Sequence, residues 1–258
     1  MVQFAGFIGK KSVDFVNYIT DLIAFTCELL SLVFKRDGNG RTIVWHNIIE
    51  QVYFTAVQSL PVIISIALIV GSMLIIQLSM ISDKYDLSKV IVFLVIREVG
   101  PMTTALIVIM RSATAVTIEI SYMNILNEIE AVEMAGIDPM RFFCLPRLVG
   151  MTFAVLSLFV VFDITALFGG YLITWAITDL PLDNYFDQIG KAISIDDVFV
   201  GIIKAVFFGI IISAISLYNG LKSKKRITHI PIVVSKTSLN CFFYCLLINL
   251  FISGLFFF

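Results

Sequence analysis

Charged residues are scarce in this sequence. They make up 14% of its 258 residues, whereas hydrophobic types make up 59% and the mean hydropathy is +0.98. A soluble globular domain carries about 25% charged residues, so the composition excludes an ordinary soluble enzyme and a disordered chain. The net charge of −1 leaves no basic excess with which to bind a nucleic acid. The composition therefore indicates an integral membrane protein.

Residues that bind metals or form disulfides are also few. The two histidines, His46 and His229, are isolated from each other in the sequence. The four cysteines have neither the spacing of a zinc site nor that of a disulfide framework; they are Cys27, Cys144, Cys241 and Cys245. We therefore predict no catalytic residue, no metal site and no cofactor, so that the chain is not itself an enzyme.

Five segments are apolar enough to cross a membrane as helices, because a hydrocarbon core of ~30 Å requires about 20 apolar residues. They are residues 51–82, 90–118, 148–178, 198–221 and 237–258. The first is longer than one crossing needs, and Pro61 predicts a bend or a restart within it. The sequence thus predicts an all-α membrane protein with five transmembrane helices.

The first 34 residues have apolar side chains every three or four positions, but charges interrupt each apolar run before it reaches spanning length. These charged residues are Lys10, Lys11, Asp14, Asp21 and Glu28. This pattern is typical of an amphipathic helix that lies in the membrane interface. We therefore divide the chain into an N-terminal interfacial helix and linker, residues 1–46, and a five-span domain, residues 47–258.

Basic residues are distributed unequally between the two sets of loops. With the N-terminus inside the cell, the inner stretches contain twelve: Lys10, Lys11, Lys35, Arg36, Arg41, Arg141, Arg147, Lys222, Lys224, Lys225, Arg226 and Lys236. The outer loops contain three: Lys84, Lys89 and Lys191. Because short inner loops are enriched in Lys and Arg, the N-terminus is predicted to be cytoplasmic and the C-terminus to lie outside.

The number of spans bears on the assembly. An odd number argues against the inverted repeats that frame many secondary transporters. A single chain with five spans also encloses little space for a substrate. We therefore expect a homo-oligomer with a shared central cavity.

The segment between the second and third spans, residues 121–147, has an unusual pattern of helix signals. Asn124 is a plausible N-cap and Gly136 a helix-ending residue, after which Asp138 caps a new helix with Pro139 at its first position. The first of these short helices is acidic, with Glu128, Glu130 and Glu133. One interpretation is a solvated loop helix; the other is a rigid element that receives force from another protein.

Three motifs in the five-span region resemble the MlaE (YrbE) permease family: REVGP at 97–101, EIEAVEMAGIDPMRFFCLPR at 128–147 and ISLYNG at 215–220. The resemblance implies a homodimeric permease of an ABC transporter in the bacterial inner membrane, so that the outer C-terminus would be periplasmic. It also implies two partners, a separate ATPase subunit and a periplasmic lipid-binding subunit with an MCE domain. The implied activity is movement of phospholipids between the inner and outer membranes, which maintains outer-membrane lipid asymmetry.

The same resemblance implies that the segment between the second and third spans is the coupling helix that contacts the ATPase. The residues to which we assign this coupling role are Glu128, Glu130, Glu133, Gly136, Asp138, Pro139 and Arg141.

Four polar residues are predicted to lie at similar depth in the outer half of the membrane, counted at about 1.5 Å per helical residue. They are Arg97, Glu98, Lys204 and Asn249. A structural salt bridge between Glu98 and Lys204 is one interpretation. With the family resemblance, we favour a polar lining of a lipid cavity. Adjacent helical residues point about 100° apart, and we expect Glu98 to face the cavity and Arg97 a neighbouring span.

Other membrane-embedded charges are predicted to be structural. We expect a buried pairing among Arg111, Glu119 and Asp163, without a role in the site. Pro101 is a candidate hinge in the second span. Two rival functions remain open: an ion- or proton-coupled carrier or channel that needs no ATPase and uses Glu98 and Lys204 as a relay, and a membrane scaffold that transports nothing.

Overall fold

The computed structural model describes residues 2–34, 41–79, 93–178, 193–223 and 226–257, and within these ranges the chain is helical and has no strand. The all-α prediction is confirmed. The linker at 35–40 and the predicted outer loops with Lys84, Lys89 and Lys191 lie outside the described residues, as do Lys224 and Lys225. The helices are α1 (Val2–Phe34), α2 (Arg41–Thr55), α3 (Leu60–Ser79), α4 (Phe93–Ile125), α5 (Glu128–Met134), α6 (a π-helical turn at Met140–Cys144 followed by Leu145–Thr178), α7 (Ile195–Leu221) and α8 (Ile230–Phe257).

Six segments of the described chain are helical, long and apolar enough to cross a membrane. Five of them match the predicted spans: Thr42–Leu74, Phe93–Ile125, Met140–Gly169, Ile195–Leu221 and Ile227–Phe256. The sixth, Val16–Val33, belongs to α1, which we predicted as the interfacial helix. The fold therefore has the predicted architecture of one N-terminal helix followed by five further membrane segments.

The predicted restart near Pro61 is confirmed. Helix α2 ends at Thr55, a single 3-10 turn covers Val57–Ser59, and α3 begins at Leu60. Pro61 is then the second residue of α3, a position where its missing N–H removes no helical hydrogen bond. Helix α2 begins at Arg41 and so runs across the division between residues 46 and 47, which stays a prediction.

Helix α6 is the centre of the bundle. Glycines on its neighbours α3 and α7 allow the backbones of these helices to pack closely against it. A Cβ atom on Gly71 of α3 would lie 2.2 Å from the carbonyl oxygen of Ala166. A Cβ atom on Gly209 of α7 would lie 2.6 Å from the Cα of Thr152. Such close backbone contacts are a main source of helix association in membranes. They place α6 between α3 and α7.

The two ends of the bundle differ in their Lys and Arg content. We call one the basic end, because its residues 126–144, 222–223 and 226–229 include Arg141, Lys222 and Arg226. We call the other the acidic end, because residues 193–197, which lie there with the last turn of α8, include Asp196 and Asp197 and no Lys or Arg. The middle of α1 contacts the basic end: Asp21 pairs with Lys222 at 2.7 Å, and the Tyr18 hydroxyl donates a hydrogen bond to Asn219 at 3.1 Å. Tyr18 and Asp21 lie near the start of the apolar segment Val16–Val33, and the interfacial position of α1 stays a prediction.

Candidate functional site

A cluster of polar side chains joins α4, α7 and α8 near the acidic end. The Lys204 ammonium lies 2.8 Å from Oε1 of Glu98 and donates a hydrogen bond to Ser253 at 2.7 Å. Ser253 in turn donates to Oε1 of Glu98 at 2.7 Å, and the Asn249 amide donates to Oε2 at 3.0 Å. We call Glu98, Lys204, Asn249 and Ser253 the polar cluster. Three of the four residues that we predicted at one depth are thus in direct contact.

The two charges of the polar cluster differ in exposure. The Lys204 side chain is 0% exposed, whereas that of Glu98 is 28% exposed. A buried ammonium needs a partner, since removing one member of a buried ion pair costs about 3–5 kcal/mol. The predicted salt bridge between Glu98 and Lys204 is therefore present. Because part of the Glu98 side chain is exposed, it is also compatible with a role in lining a lipid cavity, which stays a prediction.

Pro101 also contributes to this cluster. Proline has no N–H, so it cannot bond to the carbonyl of Arg97, which lies four residues earlier. The Lys204 ammonium donates a hydrogen bond to that carbonyl at 2.8 Å. Residues Phe93–Val99 just before the proline are π-helical, a distortion that is frequent at functional sites. Lys204 therefore binds both a side chain and the distorted backbone of α4.

Arg97 points away from the polar cluster, in keeping with the angle between adjacent helical residues. Its Nη2 donates a hydrogen bond to the carbonyl of Phe256 at 2.6 Å, and its Nη1 lies 3.7 Å from Oδ1 of Asp197. The guanidinium also lies over the ring of Phe93, 5.0 Å from its centroid. Arg97 thus connects α4 to the ends of α7 and α8 that lie at the acidic end of the bundle.

The predicted pairing among Arg111, Glu119 and Asp163 is wrong. Arg111 donates hydrogen bonds to Ser59 at 2.5 Å and to Gln58 at 2.6 Å, at the break between α2 and α3. Glu119 instead pairs with Arg147, 2.6 Å away on α6. The three charged residues therefore have separate partners or none among the described residues. Counting residues along a helix gives the depth of a side chain but not the neighbouring helix that it faces.

Asp163 is buried in α6 beside Gly100, and its Oδ1 has no hydrogen-bond partner among the described residues. In the described part of the chain, no group of three or more His, Cys, Asp or Glu side chains is placed to hold a metal ion.

Helix α5 is held between two sharp corners at the basic end. Gly136 has a φ of +79°, and its N–H bonds to the carbonyl of Glu133 while that of Ile137 bonds to Val132, which is a Schellman C-cap. Oδ1 of Asp138 accepts a hydrogen bond from the N–H of Met140 at 3.0 Å. The predicted stop at Gly136 and restart at Asp138 are confirmed. Helix α6 then continues without a further break into the long membrane segment.

The predicted N-cap at Asn124 is wrong. Its amide donates hydrogen bonds to the carbonyls of Leu221 and Ser223, at 2.8 Å and 3.1 Å, and so connects α4 to the end of α7. Asn127 stands at the start of α5 instead, in the left-handed conformation with a φ of +58°. Asparagine adopts this conformation more readily than most residues, so the correct corner lay three residues later in the sequence.

The surface of α5 and its corners is exposed and carries both acidic and apolar side chains. Of the predicted coupling residues, Glu128, Glu130, Glu133, Gly136 and Asp138 are exposed, and Pro139 and Arg141 are partly buried. Met134 is 85% exposed, Leu126 61% and Ile137 48%. We call Leu126, Glu130, Glu133, Met134 and Ile137 the α5 surface.

Sequence reasoning missed the three apolar members of the α5 surface, although apolar residues outside any span were a visible signal. It also missed Ser253 of the polar cluster. Ser253 follows Asn249 by four positions and so lies on the same face of α8, which is the signal that would have identified it.

Comparison with known proteins gives consistent matches. Residues 48–255 match the family model described as Permease MlaE. A probable ABC transporter permease protein of Rickettsia prowazekii is 27% identical over 100% of this chain and 99% of its own. The intermembrane phospholipid transport system permease protein MlaE of Haemophilus influenzae is 29% identical over 67% of this chain and 68% of its own. The chloroplastic protein TRIGALACTOSYLDIACYLGLYCEROL 1 of Arabidopsis thaliana is 25% identical over 69% of this chain and 52% of its own.

The matched region contains all the features described above that bear on function. It includes the polar cluster, the α5 surface and the three motifs at 97–101, 128–147 and 215–220. Because the family model covers most of the chain, the chain belongs to the MlaE permease family.

Proposed function

We propose that this chain is the membrane-spanning permease subunit of an ABC transporter that moves phospholipids between the inner and outer membranes. The match of residues 48–255 to the permease family is the observation that carries the proposal. A relative from Haemophilus influenzae is named for intermembrane phospholipid transport, which supports the choice of substrate. A separate ATPase subunit would hydrolyse ATP, and transport by this assembly would maintain outer-membrane lipid asymmetry.

Within this function, we assign Glu98 to the lining of the lipid pathway and Arg97, Lys204 and Asn249 to the polar layer that surrounds it. The 28% exposure of the Glu98 side chain supports this role, since its partner Lys204 is fully buried. A headgroup with a positive charge would meet the Glu98 carboxylate. Lys204 and Asn249 would then be positioning residues that hold the carboxylate in place.

The α5 surface is the proposed contact with the ATPase. It combines two exposed carboxylates, Glu130 and Glu133, with exposed apolar side chains outside the membrane segments. Exposed apolar groups with a polar rim are typical of protein interfaces. The Schellman cap at Gly136 and the cap at Asp138 give α5 fixed corners, which suits an element that transmits movement.

We further propose a homodimer that binds a periplasmic subunit with an MCE domain and lies in the bacterial inner membrane. Helix α8 exposes a long apolar face that a second copy or lipid would cover; its members include Phe243, Leu247, Leu250 and Phe251. The basic end would face the cytoplasm, because inner loops are enriched in Lys and Arg.

The ATPase requirement provides the test of this function. Purification of the tagged chain from its native membrane is expected to recover a nucleotide-binding ATPase subunit, and the complex is expected to transfer phospholipid only with ATP. An ion- or proton-coupled carrier would need no such subunit. Purification without any ATPase, together with movement of a solute along an ion gradient, would contradict the proposal.

Orientation is tested by labelling single cysteines. In a Cys27→Ser background, Asp196→Cys at the acidic end is expected to react with a membrane-impermeant maleimide added to the periplasmic side. Arg226→Cys at the basic end is expected to react only after the inner membrane is opened. Both positions are exposed, so accessibility to the reagent depends only on the side of the membrane. The reverse pattern would contradict the proposed orientation.

A further inference from the structure

A second polar site lies at the basic end, far along the bundle from the polar cluster. It is a cavity of about 410 Å³ between α1, α7 and α8. Its polar lining includes Asn17 and six residues that take part in the contacts below: Tyr18, Asp21, Tyr218, Asn219, Lys222 and Lys236. We call these six residues the basic-end pocket. A volume in this range is that of a small-ligand site.

The basic-end pocket has a positive charge in excess. Lys222 is paired with Asp21 at 2.7 Å, and this hydrogen bond and one to Tyr218 raise the pKa of the Lys222 ammonium. Lys236 lies over the ring of Tyr18, 5.7 Å from its centroid, and has no carboxylate partner among the described residues. Among the described residues that line the pocket there are two ammonium groups and one carboxylate, an excess of one positive charge.

A buried hydrogen-bond donor in the pocket also lacks a partner. Asn219 is 8% exposed, and its Oδ1 accepts a hydrogen bond from the Tyr18 hydroxyl at 3.1 Å. Its Nδ2 is buried and has no hydrogen-bond partner within the described ranges. Leaving a buried donor unpaired is unfavourable, so such a group is available to a water, an ion or a ligand. Asn219 lines the pocket together with Lys236, and a turn of its side chain would bring this donor to a ligand there.

We propose that the basic-end pocket binds the phosphate group of an anionic phospholipid of the inner leaflet, with Lys236 and Asn219 as donors. Basic pockets between membrane helices on the cytoplasmic side are suited to anionic headgroups. The excess charge favours a headgroup with a net negative charge over a zwitterionic one, which would bring its own ammonium. The ligand would hold α1 against α7 and α8, a role separate from transport of a lipid along the polar cluster.

The test measures lipid retained by the purified complex in detergent. Native mass spectrometry with added phosphatidylglycerol is expected to find this lipid bound more tightly than phosphatidylethanolamine. Lys236→Gln is expected to weaken phosphatidylglycerol binding by about tenfold, the loss of one charge-assisted hydrogen bond. Lys236→Arg is expected to retain it. Asn219→Asp, which places a carboxylate beside the phosphate, is expected to abolish it.

The matched control is Arg226→Gln, which removes one exposed positive charge at the same end but outside the pocket. This variant is expected to bind phosphatidylglycerol as the unaltered chain does. An equal loss in Arg226→Gln and Lys236→Gln would overturn the proposal, since general surface charge would then explain the binding. Displacement of the lipid by an equal concentration of glycerol phosphate would also overturn it, because the pocket would then bind soluble phosphate.

Discussion

Replacing Glu98 with arginine is expected to abolish lipid transport and to reduce the amount of folded protein in the membrane. The substitution removes three hydrogen bonds, from Lys204, Ser253 and Asn249, and places a second cation beside a fully buried ammonium. Breaking a buried ion pair costs about 3–5 kcal/mol, a large share of the roughly 5–15 kcal/mol that holds a folded protein together. Protein level in the membrane and resistance of the cells to detergent are the measurements.

Two matched variants separate the structural role of Glu98 from its proposed role in the lipid pathway. Glu98→Gln keeps the size of the side chain and an acceptor for Lys204 but removes the negative charge, so protein level should fall less than in Glu98→Arg. Transport per folded protein should also fall if Glu98 meets the headgroup. A purely structural carboxylate predicts that transport falls only in proportion to protein. Glu98→Arg combined with Lys204→Glu restores opposite charges and should recover protein level. Normal transport by well-expressed Glu98→Arg would remove the polar cluster from the proposed pathway.

Reversing the charge of the α5 surface is expected to detach the ATPase. Glu130→Lys combined with Glu133→Lys changes the surface by four charge units at two exposed positions. Because surface substitutions usually change stability by no more than about 0.5 kcal/mol, insertion and protein level should remain normal. The expected result is about a tenfold drop in the ATPase recovered with the permease, as for the loss of a central interface contact.

The control for this experiment is Asp196→Lys, an exposed acid-to-base change at the opposite end. It should leave ATPase recovery unchanged, so that an effect of net charge is separated from one of position. Met134→Asp tests the apolar part of the α5 surface in the same way, because its side chain is 85% exposed and makes little contribution to the fold. Unchanged recovery in both α5 variants would show that the ATPase binds elsewhere on the chain.

The sequence was informative where local chemistry determines the structure. The stop at Gly136 and the restart at Asp138 follow from backbone preferences that need no tertiary partner. The restart near Pro61 is of the same kind. The common depth of Glu98, Lys204 and Asn249 followed from residue counts, because helices that cross one membrane share a common scale of length.

Partners across the bundle were not predictable in the same way. Glu119 pairs with Arg147 and Arg111 binds Ser59, and both pairings depend on how each helix is rotated about its own axis. Hydropathy gives little information on rotation when most faces of a helix are apolar. Asn124 illustrates the same limit, since its partners are two backbone carbonyls 97 and 99 residues away, and no local pattern indicates them.

The bond between Lys204 and the carbonyl of Arg97 has a consequence for how α4 can move. Since Pro101 cannot supply the helical hydrogen bond to this carbonyl, the backbone conformation of α4 before the proline and the position of the Lys204 ammonium are coupled. If a change of backbone conformation at the proline turned the carbonyl away from α7, Lys204 would keep only its side-chain acceptors, Glu98 and Ser253. The backbone conformation of α4 is thereby linked to the charge pair between Glu98 and Lys204 that joins it to α7. A transport cycle that changes this conformation would shift Lys204 between the backbone carbonyl and Glu98 in each turnover.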